Sequence, residues 1–157
     1  MSTPIENLVI RFARESDVPA LAAIFAADGI GGHGDTADES ALPDYLAAFH
    51  AIENSSNETL YVAELDGEVV GTFQTVFLTK LVGRGAVSMK IEAVQTRSDM
   101  RGRGIGAMMI RYCIDDAKQR DVKNIQLISN MARLDAHRFY ERLGFDKRHF
   151  GFSMKLK

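Results

Sequence analysis

The chain has 157 residues, 46% of them hydrophobic and 25% charged, which is the balance of one ordinary globular domain. A domain of this size buries about 68–70% of its unfolded surface, so it needs neither a disulfide nor a structural metal to hold a core. A net charge of −2 and a pI near 6.1 exclude a broadly basic nucleic-acid platform, and the lone cysteine, Cys113, excludes an intrachain disulfide.

The opening Met1 to Asn7 has neither the basic start nor the apolar core of a signal peptide, and the most apolar run, Ala20 to Ala27, is far short of a membrane span. A soluble, cytoplasmic protein is expected. Leu8 to Phe12 reads as a first strand. Glu15-Ser16-Asp17 opens a helix, with Ser16 or Asp17 as N-cap, Pro19 near its first turn, and Val18, Leu21, Ala22 and Phe25 at helical spacing. Glycines at 29, 31, 32 and 34 make the next segment a loop. Leu42 to Ile52 is a second helix with Leu42, Tyr45, Leu46 and Phe49 on one face.

From Leu60 the period becomes two. Leu60 to Leu65 and Val69 to Leu78, joined by Asp66-Gly67, describe a hairpin with a type I′ turn. Lys80 to Gly85 turns the chain into a long strand, Ala86 to Thr96, so three consecutive strands run antiparallel. Gly104 to Lys118 is a helix with a stripe of Ile105, Met108, Met109, Tyr112 and Cys113. Asn124 to Ser129 is a buried strand, reached by helical crossover and so parallel to the one before it. Ala132 to Leu143 is a last helix stopped by Gly144, with Phe145 placed for a hydrophobic cap contact, and Phe150 to Leu156 reads as a final strand. The fold class is α/β: a mixed, mostly antiparallel sheet with helices on both faces, in a single domain over residues 1–157.

The chemistry is concentrated where the long strand runs into a basic, glycine-rich turn and then a helix: Glu92-Ala93-Val94-Gln95-Thr96, then Arg101-Gly102-Arg103-Gly104-Ile105-Gly106-Ala107. A helix N-terminus offers unpaired N–H groups and partial positive charge, glycines let phosphate approach the backbone, and Arg101 and Arg103 add charge. A Walker loop would need Gly-Lys-Ser/Thr, and Ala107-Met108-Met109 follows instead. A dinucleotide fingerprint through Gly102, Gly104 and Ala107 would need an acid at the end of the next parallel strand, which closes in Ser129-Asn130.

Arg101-Gly102-Arg103-Gly104-Ile105-Gly106 matches without a gap the Gln/Arg-x-x-Gly-x-Gly/Ala pattern, and Phe139-Tyr140-Glu141-Arg142-Leu143-Gly144-Phe145 matches a Phe-Tyr-x-x-x-Gly-Phe ending. Both resemble, in the right order, the signatures of the GNAT superfamily of acetyl-CoA-dependent N-acetyltransferases. The resemblance implies that the backbone from Arg101 to Gly106 holds the CoA pyrophosphate. It also implies that Val94, Gln95 and Thr96 pair with the pantetheine arm like an added strand, and that two central strands splay nearby. It implies acetyl transfer from acetyl-CoA, a cosubstrate, to a primary amine, with a small molecule as the expected acceptor. The alternatives are a protein or peptide acceptor, or a non-catalytic CoA-binding regulatory module.

An ammonium of lysine type has a pKa near ~10.4 and must lose a proton before attack, and the departing thiolate then takes one up. Glu92 is the candidate base and Tyr140, with a phenol pKa near ~10, the candidate acid. The bland alternatives are a solvated strand glutamate sharing a face with Lys90 and an aromatic packed in a core. Two places depart from the family pattern: Arg133 stands where an asparagine usually contacts pantetheine, and Ser98 replaces a common proline. The resemblance also implies a homodimer built through the C-terminal strand.

Cys113, mid-helix on the apolar stripe, reads as buried packing rather than a reactive thiol. His33 with Asp35 lacks a third ligand, so no metal site is expected. His137 and His149 read as surface and strand residues, and His50 as flanking the second helix. Arg11 with Arg14, Arg101 with Arg103, and Arg138 with Arg142 form separate pairs, read mostly as solvated faces. No nucleic acid and no membrane are expected as partners.

Overall fold

Five strands form one sheet in chain order, β1-β2-β3-β4-β5, antiparallel except for the last, parallel pair. The computed structural model describes residues 5–30 and 33–157; Met1 to Pro4, and Gly31 and Gly32 of the glycine-rich loop, lie outside the described residues. The elements are β1 (Leu8–Phe12), α1 (Val18–Ala26), α2 (Leu42–Glu53), β2 (Glu58–Leu65), β3 (Glu68–Thr79), a single turn α3 (Val82–Gly85), β4 (Val87–Thr96), α4 (Ile105–Gln119), β5 (Asn124–Leu127) and α5 (Leu134–Arg142). Residues up to Leu127 make one compact unit, and Ile128–Lys157 a second, smaller one.

The β2–β3 hairpin turns on Asp66 and Gly67 at φ 50° and 85°, the two positive values that a type I′ turn requires. Its register aligns Phe12, Tyr61 and Phe73 across three strands. Their rings follow one another at 5.4 and 4.8 Å, and Tyr112 of α4 sets its edge against Tyr61 at 5.2 Å. This is therefore the face that α4 covers. Gly71 lets the helix come close, because a Cβ there would stand 3.0 Å from the Met109 sulfur. Ile105, Met109, Ile110 and Cys113 are buried on α4, whereas Met108 and Tyr112 of the expected stripe flank it. Each large side chain so buried contributes about 1.5–3 kcal/mol.

The neighbouring row of residues, Arg11, Val62, Thr72 and Gln95, faces the other way. There α1 lies against β3 and β4, and α2 packs beside α1 and against β2. On α1 it is Ile24, with Val18, Leu21 and Ala22, that is buried, and Phe25 lies at the margin. The entry to α1 departs from a simple cap. Asp17 occupies the N-cap position, but its carboxylate accepts the Arg14 N–H at 2.7 Å and both Arg11 terminal nitrogens at 2.8 and 2.9 Å. Arg11 also reaches Glu64 at 3.3 Å. Far from being a solvated charge, Arg11 is held in a largely buried ion pair: its side chain is 15% exposed and that of Asp17 8%. Arg11, then the Arg14 N–H, holds the Asp17 carboxyl below its ordinary pKa.

The C-terminal unit differs more from expectation. The last strand expected at Phe150 to Leu156 is not formed: residues 145–157 carry no strand, and Phe150, Phe152, Met154 and Leu156 are all exposed. A period-two apolar pattern specifies a face but supplies no ladder partner, and a lone strand is not stable. His149 is accordingly not a strand residue. β5 stops at Leu127, two residues early, and α5 begins at Leu134 rather than Ala132. Asn130 takes up the difference, its side chain accepting the Ala132 N–H at 2.9 Å and its carbonyl the Arg133 N–H at 3.0 Å. His50 lies in the last turn of α2, 3.3 Å from Glu15 and 3.4 Å from Glu53.

Because the folded pKa of Asp17 lies below its unfolded value, the pair stabilises the protein above about pH 3.9 and is lost as pH falls through the folded pKa. Asp17→Asn should cost about 3 kcal/mol at pH 7 by leaving Arg11 short of its main partner. Thermal melts of variant and wild type should draw together as the pH falls through the folded pKa of Asp17, because the pair's contribution is lost there.

Candidate functional site

Strand β4 is longer than its neighbour on one side. Its pairing with β5 ends at Ile91↔Leu127, while its pairing with β3 runs on to Gly71↔Thr96. From Glu92 to Thr96, therefore, no strand among the described residues pairs with β4 on the β5 side. On the β3 side the register slips, with Gln74 opposite Glu92 but Thr72 opposite Gln95, so two residues, Ala93 and Val94, stand against Phe73. Ala93 takes φ 51°, a left-handed conformation that costs a residue with a Cβ about 1 kcal/mol or more. The result is a β-bulge, a device that re-aims side chains. It puts Glu92 and Gln95, three apart in sequence, on the same face of the sheet, the one carrying α1. Glu92 is exposed there.

Beyond Thr96 the chain is braced and then opened. The Arg97 N–H donates to the Val70 carbonyl at 2.8 Å, its guanidinium grips Asp99 at 2.7 and 3.1 Å, and the Met100 N–H closes a tight turn onto Arg97. Gly102 and Gly104 then adopt φ 76° and 88°, and a Cβ built on either would meet nothing within 4 Å. Gly104 is the N-cap of α4 and has no side chain to cap it, so the N–H groups of the first turn point out of the helix end with no side-chain cap among the described residues. Arg101 and Arg103 are exposed beside them, and one terminal nitrogen of Arg103 lies 3.2 Å from the Met100 sulfur.

On the α1 face, Gln95 donates from Nε2 to Asp28 Oδ2 at 3.0 Å, and Asp28 Oδ1 accepts the Ile30 N–H at 3.2 Å. The far end of the same segment is tied to α2: Tyr45 donates its hydroxyl to Asp35 at 2.8 Å and accepts the Thr36 N–H at 3.1 Å. Burial first, then the Asp35 carboxylate, raises the Tyr45 phenol above its usual range.

In the second unit, Tyr140 stands three places before the C-cap of α5. The Phe145 N–H donates to the Tyr140 carbonyl at 3.1 Å, the Gly144 N–H to Glu141 at 3.0 Å, and Gly144 takes φ 98°. These are the two bonds of a Schellman motif, and the hydrophobic contact that accompanies it is the Tyr140–Phe145 ring pair at 5.9 Å. Phe139 sets a second edge against Tyr140 at 5.1 Å.

The sequence matches the model of the acetyltransferase (GNAT) family over residues 19–145. The chain belongs to the GNAT family. Among GNAT relatives, the aminoalkylphosphonate N-acetyltransferase of Salmonella typhimurium is 32% identical over 91 residues, 58% of this chain and 58% of that protein. An uncharacterized N-acetyltransferase of Methanocaldococcus jannaschii is 28% identical over 64% of this chain and 44% of its own length. The matches thus span about half the length of these relatives. Among solved structures, one named a transcriptional regulator, from Bacillus halodurans, superposes with a TM-score of 0.91 at 36% identity, covering 95% of this chain and 99% of that one.

Within this GNAT fold the sequence-predicted residues fall into two groups. Glu92, Val94, Gln95, Thr96 and the run Arg101 to Gly106 form one continuous strand-turn-helix path in the larger unit. Tyr140 belongs to the smaller unit, at a helix end of its own. Cys113 is fully buried, and burial, with Asp116 adding to it, pushes its thiol up to about 12, which makes it inert packing. Sequence reasoning missed Asp28, Tyr45 and the bulge. The adjacent apolar pair Ala93-Val94, which breaks the alternation of β4, was the one signal of the bulge; the Gln95–Asp28 contact spans 67 positions and leaves no local trace.

Proposed function

We propose that this protein is an acetyl-CoA-dependent N-acetyltransferase acting on a primary amine, with both units serving one catalytic domain. The observation that carries the reading is the continuity of an unpaired strand edge, Glu92 to Thr96, with the uncapped N-terminus of α4. The residues fit the cosubstrate: Gly102 and Gly104 leave open the space that a Cβ would fill, and the first-turn N–H groups await an acceptor such as a pyrophosphate. Acetyl-CoA, when bound, supplies the thioester that the amine attacks.

The chain's own groups have three tasks. The β4 edge aligns the donor by strand-like hydrogen bonding. Glu92 on the α1 face takes the ammonium proton, and the Tyr140 phenol, its ring held between Phe139 and Phe145, donates one to the departing sulfur. A small acceptor is favoured by the Salmonella relative's name and by a post-α1 segment anchored at both Asp28 and Asp35 on the acceptor face. The name of the Bacillus halodurans structure favours a second reading, a CoA-binding regulatory module in which Glu92 and Tyr140 are structural. Among the described residues no helix is long and apolar enough to cross a membrane; a cytoplasmic location agrees with the single, buried cysteine.

A homodimer is part of the same reading. Phe150, Phe152, Met154 and Leu156 alternate along the exposed C-terminal segment, each at least 83% exposed, and a second copy would supply the ladder partner that segment lacks. Light scattering at tens of micromolar should give twice the chain mass, and Phe152→Asp should return it to a monomer.

Acetyl-CoA should raise the melting temperature of the wild type, by an amount equivalent to about 2.7 kcal/mol at ~100 times its dissociation constant. Gly106→Val should abolish that shift. It is a cleaner test than Gly104→Val, because the φ of 88° at Gly104 would itself strain a β-branched residue.

Tyr140→Phe keeps the ring contacts with Phe139 and Phe145 and removes the proton. Turnover should fall roughly 10²–10³-fold with acetyl-CoA affinity unchanged, whereas a regulatory module would show no turnover to lose. Glu92→Gln should show a deficit that shrinks as pH rises toward the amine's own pKa. A deficit constant from about pH 6 to pH 10 would remove Glu92 as the base.

A further inference from the structure

The backbone and the side chain of Gln95 lie on different sides of the candidate site. Its backbone lies in the stretch of β4 without a strand neighbour on the β5 side. Its side chain, turned to the α1 face by the bulge at Ala93, holds Asp28, which in turn holds the Ile30 N–H. A ligand that hydrogen-bonds along β4 fixes the backbone from which Gln95 springs, and so fixes the donor in the Gln95–Asp28 bond. The second anchor of the same segment, Tyr45 with Asp35 and Thr36, rests on α2 and shares no group with β4.

We infer that Gln95 is a positioning residue that transmits donor binding to the acceptor-side segment through Asp28. The inference rests on the acetyl-CoA reading above and adds to it a route: the donor, seated along β4, firms the Asp28–Ile30 turn through the Gln95 side chain. A hydrogen bond to a carboxylate is strong enough for this task, since charge-assisted bonds are roughly twice as strong as neutral ones.

The Ile30 amide reports on Asp28 directly, and the Thr36 amide reports on the independent anchor. Amide exchange measured by NMR with and without saturating acetyl-CoA should show Ile30 slowing by about 5–10-fold in the wild type, as expected for firming one such bond, with Thr36 unchanged. In Gln95→Leu, read at acetyl-CoA concentrations that saturate the variant by its own thermal shift, the slowing at Ile30 should disappear. Gln95→Glu, which sets two carboxylates against each other, should speed Ile30 exchange even without ligand. Adding Asp28→Asn restores a donor–acceptor pair and should restore both the protection and its response to acetyl-CoA. The inference is overturned if acetyl-CoA stabilises the wild type but leaves Ile30 unmoved, if Thr36 slows equally, or if Gln95→Leu keeps the response. An absence of any acetyl-CoA stabilisation in the wild type would instead overturn the donor reading itself.

Discussion

The fold of the larger unit hangs on one row of side chains across the sheet: Arg11 on β1, Val62 on β2, Thr72 on β3 and Gln95 on β4. The row ties α1 at both ends, Arg11 gripping Asp17 before the helix and Gln95 gripping Asp28 after it. The lengths agree. Three strand spacings of about 4.8 Å span roughly 14 Å, and the eleven steps from Asp17 to Asp28 cover about 16 Å at helical rise. Val62 and Thr72 fill the middle with no exposure, and Thr72 satisfies its hydroxyl by donating to the Tyr61 carbonyl at 2.7 Å. The helix is thus laid across the strands by polar contacts at its ends and apolar contacts beneath it.

Gln95 belongs to this row only because of the bulge. With a continuous ladder beyond Gln74↔Glu92, Val94 would oppose Thr72, and Gln95 would oppose Gly71 and face α4. That place is already crowded, since even a Cβ on Gly71 would meet Met109 at 3.0 Å. The strain at Ala93 is therefore offset by what it permits: α4 stays close to β3, and one strand presents Glu92 and Gln95 together on the face that carries α1. A local irregularity of one residue decides which side of the sheet Gln95 faces.

Devices that rest on neighbouring residues were legible in the sequence. Asp66-Gly67 announced its turn, Gly144 its helix stop, and Gly102 to Gly106 the opening onto α4, because in each case backbone conformation follows from residue type over a few positions. The parallel β4–β5 pair followed from the crossover between them. Contacts between distant segments were not legible. Arg11 looked like a surface charge because its partner's burial depends on how α1 is laid down, and Asp28 looked like any acid in a glycine-rich loop. The C-terminal segment fails for a different reason: its alternation of Phe150, Phe152, Met154 and Leu156 describes a strand face correctly but leaves its pairing partner unnamed.

The two signatures that carried the family resemblance turn out to be the same kind of object, a glycine in the left-handed region at a helix end. Gly104 begins α4 at φ 88° and Gly144 ends α5 at φ 98°. At the first, the absence of a side chain leaves the helix start without a side-chain cap. At the second, the left-handed turn folds Phe145 back on Tyr140, so that a residue read as catalytic and a residue read as a cap are one contact. This explains why the phenol can be singled out from sequence at all: the Phe-Tyr-x-x-x-Gly-Phe spacing is what a Schellman motif demands when its hydrophobic pair is aromatic. Gly144 accordingly acts on Tyr140 through geometry alone. Any residue there with a Cβ would strain the turn and loosen the ring, while the α5 residues that carry no part of the motif would tolerate change.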